Sequence, residues 1–286
     1  MEFRTPVQIP KPLFQIEPLE EMLFVGSCFA DGIGQRFVEE KFRAIVNPYG
    51  TMYNPASVHH SIERLPSVLS DGKEHYPRVV FVTLGTNHVY RLKETGEIVD
   101  NCQKRPQRLF DEEKLTIDEC TDYLKKIIET LQAYRPDVQI VFTVSPIRYQ
   151  KYGFHESQLS KAVLLLAVDK VLNDSSFIAQ QSSLSYFPAY EIVLDELRDY
   201  RFYKEDMLHP SPQTVEYIWQ QLVEHYFSPR AKQFLKEWKP IKEALAHKPF
   251  HPESEEYQVF LQKTKSQEAD LLAKFSSMSR VIEGKS

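Results

Sequence analysis

Along this chain, three short apolar runs alternate with stretches of helical periodicity. Each run has the length of a strand and is followed by a turn residue. The runs are MLFV at 22–25, VVFVTL at 79–84 and VQIVFTV at 138–144. Apolar runs this short are typical of strands that are buried on both faces of a sheet. Strands that alternate with helices favour a parallel sheet with helices on its two faces. We therefore expect an α/β fold, a three-layer sandwich with a central, mainly parallel sheet.

The rest of the chain supplies the predicted covering layers and an extension. Helical spacing is found at 31–42, 55–65, 117–134, 157–172 and 209–226. A short strand is expected near 185–187. Residues 1–20, which contain four prolines, and the irregular segment 86–115 are expected to run over the surface. The Lys/Glu-rich segment 229–286 predicts a charged helical C-terminal extension of two helices after a first domain of residues 1–228.

Charge and composition exclude several classes of protein. The formal net charge is −5, and no dense basic stripe is present, so we expect no nucleic-acid partner. No run approaches the roughly 20 apolar residues of a membrane span, and the first residues lack the apolar run of a signal peptide. We expect a cytoplasmic protein without a membrane partner. The three cysteines lack paired spacing, which favours neither a disulfide framework nor a zinc site.

Polar residues follow the predicted strands at the edge where ligands bind in open α/β sheets. Ser27 comes after the first strand and could present its hydroxyl at a helix N-terminus, or it could simply cap that helix. Asn87 follows Gly85 after the second strand, where its amide could stabilise an oxyanion or merely belong to a turn. Gly50, in the stretch NPYG, could offer a backbone N–H or form a plain turn.

The strongest local signal is Asp206-Met-Leu-His209. At the start of a helix, this spacing lets a carboxylate orient an imidazole as a general base, although an N-cap beside a surface histidine would look the same. Cys28 is an alternative nucleophile, but we expect its side chain to leave the turn in another direction and to be a small buried hydrophobe. His88 could line the mouth of a pocket, and Arg148 could meet an anionic group of the substrate.

Taken together, these stretches resemble a known family. The runs GSCFA at 26–30, NPYGTMYNP at 47–55, GTN at 85–87 and DMLHP at 206–210 are similar to the GSCFA-domain family within the SGNH (GDSL-like) hydrolase superfamily. The resemblance covers about residues 20–230 and implies an SGNH/flavodoxin-like α/β hydrolase domain. The superfamily's usual Gly-Asp-Ser is Gly-Ser here, and residues 60–78 lack the His-Ser-x-Phe-Ser stretch that many GSCFA proteins carry before the middle strand.

The resemblance also implies roles for individual residues. Ser27 would be the nucleophile, His209 the base and Asp206 its orienting partner. The Ser27 N–H, the Gly50 N–H and the Asn87 side chain would hold the oxyanion. The chemistry needs no metal and no organic cofactor.

Three functions follow from these assignments. The first is a serine esterase that removes a short acyl group, acetyl above all, from a small-molecule or carbohydrate ester. The second is an O-acyltransferase that uses the same triad with an alcohol in place of water. The third is a non-catalytic binding or scaffold protein of the same fold. Self-association through the C-terminal helices is a further option that the charge pattern leaves open.

Overall fold

The computed structural model describes residues 4–67, 69, 76–100, 102, 105–177 and 183–283, the side chains of 277–283 excepted. Its strands are β1 (Glu21–Gly26), β2 (Arg43–Val46), β3 (Val79–Leu84), β4 (His88–Leu92), β5 (Ile98–Val99), β6 (Phe110–Lys114), β7 (Gln139–Val144) and β8 (Leu184–Tyr186). Five of them form a sheet in the order β2-β1-β3-β7-β8. Every neighbouring pair in that sheet is parallel, as the apolar runs predict.

The helices are α1 (Cys28–Glu39), α2 (Pro55–Glu63), α3 (Ile117–Tyr134), α4 (Phe154–Leu172), α5 (Ala189–Glu191), α6 (Pro212–Tyr226), α7 (Pro229–Ala246) and α8 (Glu255–Glu283). A π-helical segment, Ile192–Leu197, continues α5, and short 3-10 turns lie at Leu65–Ser67, Gln107–Leu109 and Tyr200–Phe202. In the part of the chain that the structure describes, none of these helices has the length and apolar character needed to cross a bilayer.

Side chains of the central strands alternate between two cores, which confirms the three-layer sandwich. On one face, Val80 and Val82 of β3 join a cluster with residues of α2, α3 and α4. On the other face, Phe81 and its neighbour Phe24 pack against α1 and α6, with Phe24 and Phe81 stacked at 4.9 Å between ring centroids. Full burial of each such ring contributes about 2–3 kcal/mol to folding. Both faces of the sheet are therefore covered.

Some expectations from the sequence are wrong in detail. The segment 86–115 is not an irregular loop, because it contains the small antiparallel sheet β5-β4-β6. The helix expected at 209–226 begins at Pro212 with Ser211 as its N-cap, and not at His209. Residues 1–20 do not merely cross the surface, since Ile16 is fully buried and forms a bridge with Phe227. Strand β2 had no counterpart in the predicted elements.

Helices α7 and α8 pack on each other and on the end of α1. Phe234 and Trp238 of α7 share a buried cluster with Leu271 and Phe275 of α8. The indole N–H of Trp238 donates to the carbonyl oxygen of Glu39 at 3.2 Å. The charged helices therefore also carry an apolar seam, and this seam attaches them to the α/β core.

Gly26, the last residue of β1, allows the chain to turn toward α1. Its φ is +130°, and a Cβ built there would lie 2.0 Å from the carbonyl oxygen of Thr83. We expect Gly26→Ala to lower the free energy of unfolding by about 3 kcal/mol or more, since β3 would have to move. Gly32 in α1 meets nothing within 4 Å, so Gly32→Ala should raise that free energy by about 0.5–1 kcal/mol. Urea unfolding of both variants tests this, and equal stability of the two contradicts it.

Candidate active site

Ser27 is buried at the carboxyl end of β1 and acts as the N-cap of α1. Its Oγ accepts a hydrogen bond from the Phe29 N–H at 3.3 Å and lies 3.1 Å from the Thr83 hydroxyl. Only 1% of the residue is exposed. Between the two possibilities that the sequence left open for Ser27, the helix-capping contact is present. No hydrogen bond joins Ser27 to His209, both of which belong to the described part of the chain. Its role as nucleophile stays a prediction.

Cys28, the first residue of α1, lies against the imidazole instead. Its Sγ is 3.6 Å from Nε2 of His209, and the residue is partly exposed. The Cys28 side chain does leave the turn in another direction from that of Ser27, but the expectation that it is a small buried hydrophobe is wrong. Successive side chains at the start of a helix point about 100° apart, so when Ser27 turns inward to Thr83, Cys28 turns outward to His209.

His209 is held by Asp206 through a tight turn. Nδ1 of His209 lies 2.6 Å from Oδ2 of Asp206, while Oδ1 accepts the N–H groups of His209 at 2.9 Å and Leu208 at 2.8 Å. These three hydrogen bonds lower the pKa of Asp206 to about 2, and the two from backbone N–H groups have the largest effect. Met207 between them has a φ of +58°, so the pair sits on a loop and not at a helix start. A carboxylate in this place fixes the imidazole with its free nitrogen toward Cys28.

Tyr53 completes this group, although the sequence analysis gave it no role. Its carbonyl oxygen accepts the N–H groups of Gly85 and Thr86, both at 2.8 Å, which fixes it at the end of β3. Its side chain is 40% exposed. Burial raises the pKa of its hydroxyl, and the charge of Cys28 contributes in the same direction. Tyr53 lies within the stretch NPYGTMYNP, so the motif was the signal that pointed to it.

Opposing influences act on the Cys28 thiol. Burial raises its pKa, and the charge of Asp31 adds to this, whereas the Cys28 N–H, the charge of Lys161 and the Tyr53 hydroxyl lower it. A position at a helix N-terminus and a protonated imidazole nearby are the settings in which cysteine becomes a reactive thiolate. Cys28 has both a helix N-terminus and the His209 imidazole beside it, and the imidazole is placed to accept the thiol proton.

The N–H groups of the three predicted oxyanion donors are already hydrogen-bonded within the protein. The Gly50 N–H donates to the Asn47 carbonyl at 2.8 Å, and the Ser27 N–H donates to Thr83 at 3.0 Å. The Asn87 side chain is buried, and its Nδ2 donates to the carbonyl oxygen of Leu115 at 2.7 Å. Internal acceptors thus engage all three groups, and their oxyanion roles stay predictions.

The contacts of Arg148 indicate that it supports the loop that carries His209 rather than reaching toward an anion. Its guanidinium donates to the Met207 carbonyl at 2.8 Å, and its backbone N–H donates to the Leu208 carbonyl at 3.0 Å. The same guanidinium lies 4.2 Å from the ring centroid of Phe154 and 5.2 Å from that of Tyr200. These contacts commit Arg148 to the Asp206–His209 turn, and substrate binding by this residue stays a prediction.

His88 is not at the mouth of a pocket. It is 6% exposed and stacks on Tyr152 with ring centroids 4.0 Å apart. Burial first, and the charge of Lys114 second, lower the pKa of His88 to about 4. The ring is therefore neutral at physiological pH and packs as part of the small sheet.

The depressed pKa of His88 predicts an acid-sensitive stability. The unfolded chain takes up this proton near pH 6.5 and the folded chain only near 4, so stability is present above 6.5 and is lost as the pH falls toward 4. Lys151 also opposes protonation, while Glu156 favours it. Between pH 7 and 4.5, wild type should lose about 2 kcal/mol more than His88→Phe. Chemical unfolding at both pH values measures this, with His251→Phe as an exposed control; parallel losses in wild type and His88→Phe contradict it.

A groove between α1 and α6 opens at the Cys28–His209 pair. Its volume is about 390 Å³. Its walls carry both apolar and charged side chains, the charged ones being Arg36, Glu39, Lys204 and Glu216. The lining residues include Cys28, Phe29, Ile147, His209, Pro210 and Val215. Such a groove could hold an acyl group with its carbonyl next to the thiol.

No cluster of three or more His, Cys, Asp or Glu side chains with metal-binding geometry occurs in the described ranges. Within those ranges, the Cys28 thiol, the His209 imidazole and the Asp206 carboxylate form a connected set at the carboxyl edge of the sheet.

The fold and this group of side chains define an α/β protein with its candidate active site at the carboxyl edge of a parallel sheet. The chain belongs to the GSCFA family, whose pattern matches residues 21–76 and 68–222. Residues 238–283 match the C-terminal domain of GSCFA domain proteins. A comparison with curated proteins finds no match.

Several solved structures resemble this one at low sequence identity. A Streptococcus pneumonia protein, provisionally assigned as a platelet activating factor, is 15% identical with a TM-score of 0.47, over 74% of this chain and 85% of that one. A Clostridium thermocellum family 3 carbohydrate esterase is 13% identical with a TM-score of 0.40, over 80% and 100%. A family 3 carbohydrate esterase from Talaromyces cellulolyticus is 10% identical with a TM-score of 0.40, over 76% and 98%.

Proposed function

We propose that the protein is an ester hydrolase in which Cys28 is the nucleophile, His209 the base and Asp206 the residue that orients the base. One observation carries the proposal: His209 contacts both other residues. Its Nδ1 lies 2.6 Å from Asp206 Oδ2, and its Nε2 lies 3.6 Å from Cys28 Sγ. A nucleophile, a base and an orienting carboxylate in this order are the requirements of acyl transfer through a covalent intermediate.

The proposed reaction has two steps. His209 takes the proton of the Cys28 thiol, and the thiolate attacks the ester carbonyl; the alcohol leaves with the proton from His209, and a thioester remains. Water then attacks the thioester while His209 accepts its proton. The carboxylic acid leaves, and the proton returns to the sulfur. In this proposal the Cys28 N–H at the start of α1 and the Tyr53 hydroxyl are the donors to the developing oxyanion.

The proposal differs from the sequence prediction in the nucleophile and keeps its substrate class. Short-chain acyl esters, acetyl esters of carbohydrates among them, remain the proposed substrates. The predicted Ser27 nucleophile remains the competing assignment. It would require Ser27 to exchange its bonds to Phe29 and Thr83 for one to His209.

Titration with iodoacetamide tests the proposal. The extent of Cys28 modification, read by peptide mass spectrometry, should match the fractional loss of p-nitrophenyl acetate hydrolysis. A slowly hydrolysed ester in the reaction should slow both the modification of Cys28 and the loss of activity. Complete Cys28 modification with full activity would assign the reaction to another residue. A chain that hydrolyses none of a series of acyl esters, including acetylated sugars, would favour the binding-protein hypothesis.

A further inference from the structure

Gly32 lies within α1, where glycine lowers the stability of a helix and packing does not require it. A Cβ built on Gly32 would meet no heavy atom of the described residues within 4 Å, apart from its own helix backbone. A Cβ on Gly34, by contrast, would lie 2.7 Å from a methyl group of Val46. Gly34 therefore lets α1 pack against β2, and Gly32 has no such role. The space beside Gly32 belongs to the groove between α1 and α6.

Gly32 lies on the same face of α1 as Cys28. The residues of α1 that line the groove include Cys28, Gly32, Gln35, Arg36 and Glu39. Separations of three and four residues put side chains on one stripe of a helix, and Gly32 is one turn, about 6 Å, beyond Cys28. Because Gly32 has no side chain, the groove stays open along the helix directly after the sulfur.

An ion pair marks the far end of this open stretch. Arg36 Nη2 lies 3.0 Å from Oε2 of Glu216 and so connects α1 with α6 across the groove. The same two residues line a second cavity on the side of α7, so the ion pair is the boundary between the two. Arg36 is eight residues after Cys28, a distance of about 12 Å along the helix axis. An extended alkyl chain advances about 1.3 Å per bond, so roughly eight carbons span this distance.

The lining of the groove suits an alkyl chain. Phe29 of α1, Ile147 after β7 and Val215 of α6 supply apolar surface. In the proposed reaction the alcohol must depart before water attacks, whereas the acyl group stays bonded to Cys28 between the two steps. A groove whose far end is crossed by an ion pair therefore suits the acyl chain better than the alcohol.

We propose that Gly32 is a specificity-determining residue, which leaves room for the acyl chain of the ester to lie along α1 from Cys28 toward the Arg36–Glu216 ion pair. The proposal rests on the proposed function in taking Cys28 as the nucleophile. It extends the substrate class from acetyl esters to esters of straight-chain acids of up to about eight carbons.

The dependence of hydrolysis on acyl length tests this proposal. With p-nitrophenyl esters, kcat/KM of the wild type should rise about twofold per methylene from acetate to octanoate and no further for decanoate. In Gly32→Leu, which favours the helix and fills the groove, the octanoate-to-acetate ratio of kcat/KM should fall about tenfold or more. Val38→Leu, on α1 outside the groove, should keep the wild-type ratio.

Two results of this experiment overturn the proposal. One is a wild-type kcat/KM that is equal for acetate and octanoate, or a Gly32→Leu ratio that equals the wild-type ratio. The other comes from acetate esters of alcohols of increasing length. If Gly32→Leu changes the preference among these alcohols and not among the acyl groups, the groove holds the alcohol.

A reaction that needs no ester turnover separates this proposal from the proposed function. An alkyl methanethiosulfonate transfers its alkylthio group to the Cys28 thiolate, which forms a disulfide and releases methanesulfinate. Mass spectrometry should show that the octyl reagent modifies Cys28 about tenfold faster than the methyl reagent, and that Gly32→Leu removes this difference. Cys102 in the same molecule should show no such difference. Equal rates at Cys28 in the wild type overturn the proposal, whereas a length effect without any ester hydrolysis contradicts the proposed function alone.

Discussion

Replacing Cys28 with alanine should reduce kcat/KM for p-nitrophenyl acetate by about a thousandfold or more, because no other nucleophilic side chain among the described residues is hydrogen-bonded to His209. Ser27→Ala should retain activity within about tenfold. It should lower the free energy of unfolding by about 1 kcal/mol, since it removes the N-cap bond to Phe29. Both variants are measured by initial rates and urea unfolding.

The matched control for Cys28→Ala is Cys102→Ala, which removes a partly exposed thiol far along the chain in the small-sheet region. It should hydrolyse the ester at the wild-type rate. The reverse pattern, with activity lost in Ser27→Ala and kept in Cys28→Ala, would restore the serine assignment that the sequence predicts.

Asp206→Asn should lower kcat by about a thousandfold to ten-thousandfold. The asparagine can keep the turn, because its Oδ1 still accepts the N–H groups of Leu208 and His209. Its amide nitrogen would face Nδ1 of His209 and favour the tautomer that carries its proton on the nitrogen facing Cys28. The imidazole would then be unable to take the thiol proton.

Asp199→Asn is the control for Asp206→Asn. Asp199 lies in the same segment of the chain and makes a similar turn. Its Oδ1 accepts a hydrogen bond from the Arg201 N–H at 2.8 Å. Its substitution should leave kcat within about twofold. Since the pKa of Asp206 is about 2, its carboxylate is ionised through the usual assay range. Comparable loss in both variants would show that the turn matters and not the carboxylate.

The sequence predicts the central sheet well because its strongest signals are local. The runs that became β3 and β7 are apolar and rich in β-branched residues, and each ends within a residue of its predicted bound. Strand β2 (RAIV) is four residues long, and β6 (FDEEK) is mostly charged. Such strands owe their pairing to neighbours distant in sequence, and no local pattern reveals this.

The sequence could predict where the candidate site lies, but not how its side chains are arranged. Asp206 and His209 contact each other as their spacing indicates, yet they do so through a turn at Met207 and not on a helix. The choice between Ser27 and Cys28 depends on which residue caps α1, a difference of one position. In the superfamily's Gly-Asp-Ser the serine is two residues after the glycine, and Cys28 stands two residues after Gly26. That alignment was the available signal.

The acyl-enzyme intermediate tests the central claim most directly. Rapid acid quenching of the wild type with a slowly hydrolysed p-nitrophenyl ester, followed by fragmentation mass spectrometry of the peptide that contains residues 26–30, locates the acyl group. We predict that it is on the Cys28 sulfur, that neutral hydroxylamine removes it as it does a thioester, and that Ser27→Ala still forms it. An acyl group on the Ser27 oxygen that resists neutral hydroxylamine would contradict the account.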